Sequence, residues 1–201
     1  MMQMPQVLNQ KHEDQLRHAS FTGGMFKFND KQISYRLSGS YLAKDKLRLI
    51  NDCEGCEEAN GKMTDYSFKV GFEKTINFST IQPYFGFDIG FRQNKFNGTL
   101  TSTNQLQAAK SAADMTAMPY KTVEAIKSGF VAAPLIGLKI NVIPQLSLFA
   151  EGNLQLYYAY SRTETIAQDL DNTRDFRKTY KAEYLLNPVT VGIQFHLGNN
   201  R

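Results

Sequence analysis

The 201-residue chain contains no tryptophan, only two cysteines and only three histidines. It also contains no run of about 18 apolar residues, which excludes a membrane-spanning helix. It does not exclude a transmembrane β-barrel, whose side chains alternate and never make such a run. Two cysteines are too few for a disulfide-dense mini-protein. His12, His18 and His196 are scattered, so no nucleophile–base–acid set is visible, and only His196 falls in a strand-like run. No block of Lys and Arg marks a nucleic-acid arm, although the formal net charge is +4 and the pI about 9.0. No Gly-rich phosphate loop precedes a helix. The first ten residues lack a basic segment followed by an apolar one, so no signal peptide is visible.

What is present is period-2 alternation over most of the chain. Ile33, Tyr35, Leu37 and Tyr41 oppose Ser34, Arg36, Ser38 and Ser40. Tyr66, Phe68, Val70 and Phe72 oppose Asp65, Ser67, Lys69, Gly71 and Glu73. Phe85, Phe87, Ile89 and Phe91 oppose Tyr84, Gly86, Asp88, Gly90 and Arg92. Longer runs follow at Phe130–Val142 and Leu146–Tyr160, and a last one at Val189–Leu197. A weaker run, Phe21–Phe28, precedes the first, which makes seven strands. Tight turns are expected at Asn29–Lys31, Asn77–Thr80 and Ile143–Gln145, and long connections at Asn51–Lys62, Gln93–Lys127 and Ser161–Asn187. Short connections at one end and long ones at the other describe an up-and-down antiparallel meander.

Such alternation suits a soluble barrel with its apolar face in the core, or a membrane barrel with that face in lipid. The membrane case is favoured. The apolar faces are nearly unbroken over about the 9–11 residues that a tilted strand needs to cross a bilayer. The opposite faces mix Gly, Ser, Gln and Asn with Arg36, Lys69, Glu73, Asp88, Arg92, Lys139 and Glu151, charges that could pair in a narrow lumen. Tyr35, Tyr41, Tyr157, Tyr158, Tyr160 and Tyr184 lie near strand ends, where aromatic girdles sit. The reading is an all-β, antiparallel up-and-down transmembrane β-barrel of about eight strands, seven of them visible. Residues 1–20 form a polar N-terminal segment, 21–197 the barrel and 198–201 a tail. Single-chain bacterial barrels have an even strand count. The expectation is therefore that the sequence begins inside the first outer loop, with an export signal and a first strand upstream.

The stretches Tyr66–Lys74 and Gln82–Gly90 resemble strands of the small outer-membrane β-barrel proteins of Bacteroidetes, and Asn187–Leu197 is similar to their terminal strand. The resemblance covers roughly Phe21 to Leu197. It implies an outer-membrane location, contact with outer-membrane lipid, and reading of the terminal strand by the barrel-insertion machinery, with Phe195 as the signal aromatic. His196–Arg201 follow Phe195, so the match to a terminal aromatic is partial. The family includes anchors, adhesins, small pores and accessory subunits of larger complexes, so the resemblance fixes architecture and not activity.

Cys53-Glu54-Gly55-Cys56 is the sharpest local motif. In an outer loop of an exported protein it reads most simply as a local disulfide between Cys53 and Cys56; free thiols, or redox or metal chemistry, are the alternatives. So small a loop gives less than the roughly 2–4 kcal/mol typical of longer ones. Asp169–Asp175 spaces oxygen ligands as a calcium loop begins, but Arg174 stands where Gly is required, and a polar hairpin tip is expected. The Ala-rich stretch Asn104–Met118 could be a short helix within the second long loop, read either as a lid or partner-binding element or as a mobile loop. His196 is expected to face the lumen as a hydrogen-bonding group. Glu73, Asp88 and Glu151 could be imagined as acid–base carboxylates, and neutralised lumen charges explain them as well. No catalysis, metal or cofactor is expected. Function would lie in the outer loops, as a membrane anchor or as a surface-interaction or accessory subunit. The other readings are a soluble lipocalin-like barrel holding an apolar ligand, with Phe85, Phe87 and Phe91 lining its cavity, and a small pore.

Overall fold

The computed structural model describes residues 22–30, 33–50, 57–76, 80–102, 121–143, 145–167, 173–186 and 189–196. They form one antiparallel sheet of β1 (Thr22–Asp30), β2 (Ile33–Ile50), β3 (Glu57–Thr75), β4 (Ile81–Ser102), β5 (Lys121–Ile143), β6 (Leu146–Ala167), β7 (Arg174–Leu186) and β8 (Thr190–Phe195). Each strand pairs with the next from β1 to β7, and β8 pairs with β6. The chain is thus all-β with up-and-down connectivity, as its alternation predicts. The end carrying the short connections before β2, β4 and β6 is called the lower end below, and the opposite end the upper.

β7 and β8 share one edge of β6. Leu154 lies opposite Leu186, and Glu151 lies opposite Thr190. Three residues along β6 thus separate pairings that are four residues apart on its neighbours, an offset of one residue. Counting β7 and β8 together gives the seven runs expected. The far edges of β1 and of β7–β8 have no strand beside them among the described residues. Both edges run downward, so an antiparallel closure takes one ascending strand between them.

The sheet coils until opposite walls meet. The Arg36 side chain on β2 bonds Glu151 on β6, and Lys27 on β1 lies 5.5 Å from the Phe149 ring centroid on β6. Two inward aromatics pack over glycines directly opposite them. Tyr84 faces Gly137, where a Cβ would collide with its ring. Phe149 faces Gly192, where a Cβ would come within 2.6 Å of Cζ. A ring shielding a cross-strand glycine fills the narrow interior and covers backbone that the glycine leaves bare.

The strands are far longer than the alternation predicts. β4 and β6 have 22 residues each and β5 has 23. The expected long connections shrink accordingly. β2 runs on to Ile50 and β3 starts at Glu57. β4 reaches Ser102 and β5 starts at Lys121. Most of Ser161–Asn187 is strand, because β6 extends to Ala167 and β7 begins at Arg174. The physical cause is a reversal of the apolar face along each strand. In the lower half the outward side chains are apolar (Ile33, Tyr35, Phe68, Phe72, Phe85, Ile89, Phe130 and Ile136), while Arg36, Glu73 and Asp88 are buried inside. In the upper half a buried inner cluster of Leu42, Leu47, Leu49, Ala59, Met63, Phe96, Leu100, Val123 and Ala125 replaces the charges. The outward positions there carry Arg48, Asn60, Lys62, Asn97 and Thr99. A bulge in β2, where Lys44 faces Met63 but Leu47 faces Gly61, keeps the leucines on the inner face across the change.

Candidate functional site

The lower interior is organised around Arg36. Its Nη1 and Nη2 donate to Glu151 Oε2 and Oε1 at 2.7 and 2.9 Å, a bidentate fork. Nη1 also donates to Glu73 Oε2 at 3.2 Å, and Nε lies 3.1 Å from Asp88 Oδ1. Lys27 Nζ donates to both Glu73 oxygens, at 2.9 and 2.7 Å. The Tyr84 hydroxyl donates to Glu151 Oε2 at 3.2 Å. One guanidinium therefore joins carboxylates from β3, β4 and β6, and β1 is tied in through Lys27. Removed from water, these charges keep a low energy only because each meets partners of opposite sign.

A second cluster sits above the first. Arg92 Nε and Nη2 donate to Asp65 Oδ1 and Oδ2 at 3.1 and 3.0 Å, and Asn94 Nδ2 donates to Asp65 Oδ2 at 2.9 Å. Arg92 Nη1 reaches Gln155 Oε1 at 3.3 Å. The Tyr157 hydroxyl lies 3.2 Å from both the Arg92 and the Lys127 carbonyl oxygens, and Lys127 pairs with Glu183 on β7. The apolar cluster of the upper half closes the interior above these groups. The carboxylates of the lower cluster meet around a guanidinium, and no group of three or more His, Cys, Asp or Glu is disposed to hold a metal ion among the described residues.

On the outer surface one cross-strand row separates the two halves. It runs Tyr41–Tyr66–Gln93–Ser128–Tyr160–Tyr180 from β2 to β7. The Tyr66 hydroxyl donates to Gln93 Oε1 at 2.5 Å, and the Tyr160 and Tyr180 rings are 5.0 Å apart. Below this row the outward positions of β3 to β6 carry no charge until Lys74 at the foot of β3. Above it charges recur in pairs: Lys62 with Asp45, Lys95 with Glu124, and Arg162 and Arg174 with Glu164. Arg48 Nε donates to Glu58 Oε1 at 2.7 Å, and this bond holds the Glu58 carboxyl below the usual carboxylate range.

The seven charges singled out in the sequence all lie on inward-facing strand positions. Arg36, Glu73, Asp88 and Glu151 meet in the lower cluster, and Arg92 anchors the upper one. Lys69 and Lys139 are inward on β3 and β5 and take no part in the Arg36 hydrogen bonds. Sequence reasoning misses Lys27, Asp65, Tyr84, Lys127 and Glu183. Asp65 and Tyr84 share strand and parity with chosen residues, and Lys27 alternates with Phe26 and Phe28, so these three are visible on that ground. Glu183 is not, because the sequence pattern places it in a loop. Tyr157, expected in a girdle, is buried with its hydroxyl inside, since its odd position faces the interior. His196 Nε2 lies 2.7 Å from Ser147 Oγ near the lower end. Phe195 ends β8 and is 71% exposed on the outer face. Cys53 and Cys56, the Ala-rich stretch Asn104–Met118 and most of Asp169–Asp175 lie outside the described residues.

No family model matches the chain, and no curated protein matches it. Among solved structures the chain is similar to a major outer membrane protein from Thermus thermophilus, with 14% sequence identity and a TM-score of 0.47, over 88% of this chain and 94% of that one.

Proposed function

We propose that this chain is an outer-membrane β-barrel protein that acts as an anchor or a surface-interaction subunit, without catalysis. The reversal of the apolar face along the same strands carries this reading. Apolar outside and charged inside is the arrangement lipid demands, and polar outside with apolar inside is what water demands. The uncharged outer belt on β5 from Phe130 to Ile140 has about the 9–11 residues a tilted strand needs for the hydrocarbon. The tyrosine row lies at its upper boundary, where aromatic girdles sit. The upper halves of the strands then stand clear of the membrane as a water-exposed scaffold with its own small core. They hold up the long connections, including Cys53 and Cys56, which we read as a local disulfide. Phe195, outward at the foot of the last strand, is the aromatic offered to the insertion machinery.

The soluble lipocalin-like reading needs Phe85, Phe87 and Phe91 to line a cavity. They lie on the outer face instead, and the interior beneath them holds Arg36 and Asp88. Membrane fractionation with a heat-modifiability gel tests the proposal. The expected result is recovery in the outer-membrane fraction and a mobility shift on boiling. Recovery as a detergent-free soluble protein overturns it.

A further inference from the structure

The outer surface of β4 to β7 is graded in three successive cross-strand levels. The lowest is an apolar groove of about 690 Å³ between Phe91, Phe130, Ala132, Leu156, Tyr158 and Tyr184. It exists because Ala132 and Ala182 are small among bulky neighbours. Directly above runs the tyrosine row, ending in Tyr160 and Tyr180. The next row up is Lys95–Ile126–Arg162–Lys178. The charged ends of Arg162 and Lys178 lie 4.7 and 4.9 Å from the centroid of the Phe176 ring.

The charges of this patch do not cancel. Glu164 is shared by Arg162 and Arg174, and Lys95 is met by Glu124. No carboxylate meets Lys178 among the described residues. The local surface thus holds an excess of positive charge at the level where an apolar belt gives way to a polar one. A ligand complementary to all three levels has an acyl chain, an ester or sugar region that takes hydrogen bonds from phenols, and an anionic head. We infer that this face binds a phosphate-bearing membrane lipid, with its phosphate at Arg162 and Lys178 and an acyl chain in the groove past Ala132. Two guanidinium or ammonium groups beside a phosphate give charge-assisted hydrogen bonds that a zwitterionic head satisfies less well.

The inference rests on the membrane reading above, and its test separates the two. Wild-type protein, R162Q/K178Q, A132F and the control K62Q, whose lysine lies on another part of the outer face, are reconstituted into phosphatidylcholine vesicles containing a few per cent phosphatidic acid. Flotation with the vesicles is scored first. Lipids retained after gentle detergent extraction are then counted by native mass spectrometry. Wild type and K62Q should keep phosphatidic acid about tenfold above its bulk share. R162Q/K178Q should float but fall to the bulk share, and A132F should retain fewer lipids of either kind. Flotation of wild type with no enrichment overturns the lipid site alone. Equal loss in K62Q reduces the effect to general surface charge and also overturns it. Wild type that does not float overturns the membrane reading and the site with it.

Discussion

Arg36 shows most clearly what a single side chain does in this molecule. It is buried among Glu73, Asp88 and Glu151, and its removal would leave three carboxylates facing one another, with Lys27 still hydrogen-bonded to Glu73 alone. Arg36→Met should therefore cost about 3–5 kcal/mol, the usual penalty for breaking a buried charge cluster from one side. Tyr84→Phe removes only one hydrogen bond and should cost about 1 kcal/mol. Urea unfolding midpoints in a single detergent check both; an Arg36→Met midpoint equal to wild type would show that the cluster is dispensable. Residue parity puts Arg36 on the face opposite Tyr35 and Leu37. Nothing in the sequence says that its bidentate partner is Glu151, 115 positions away.

Each long strand carries two opposite instructions. β4 is the plainest example: Phe85, Phe87, Ile89 and Phe91 are outward below the tyrosine row, while Phe96 and Leu100 are inward above it. An outward charge should matter in the first half and not in the second. Ile89→Lys, in the middle of the belt, should cost about 2–4 kcal/mol of membrane stability, and Asn97→Lys should be close to neutral. Folding yield into vesicles, read from the mobility shift of unboiled samples, measures both. Equal yields for the two variants would remove the distinction between the halves. The same reversal explains why the alternation underestimates strand length. A search for outward apolar residues stops at Tyr41, Tyr66 or Tyr160, because beyond them the apolar residues change face and become sparser. Leu47 is harder still to follow, since the β2 bulge shifts its parity.

At the scale of the whole molecule the interior is filled twice over. The charged clusters tie β1, β2, β3, β4 and β6 together across the lower half, and the apolar cluster closes the upper half. A barrel of about eight strands has an interior only wide enough for its own side chains. Purified protein in planar bilayers should accordingly show no stable conductance steps above baseline. Reproducible unitary steps would favour the pore reading over the anchor. The sequence by itself determined the strand class, the number of visible runs and which lower-half residues share a face, because period-2 alternation is a local property that one-residue parity fixes. Only the tertiary structure decided which charges meet, where the strands end, and that the apolar residues change from the outer to the inner face between the two halves. Those depend on the register between strands and on the coiling that brings β2 against β6, contacts between residues too distant in the chain for a local pattern to encode.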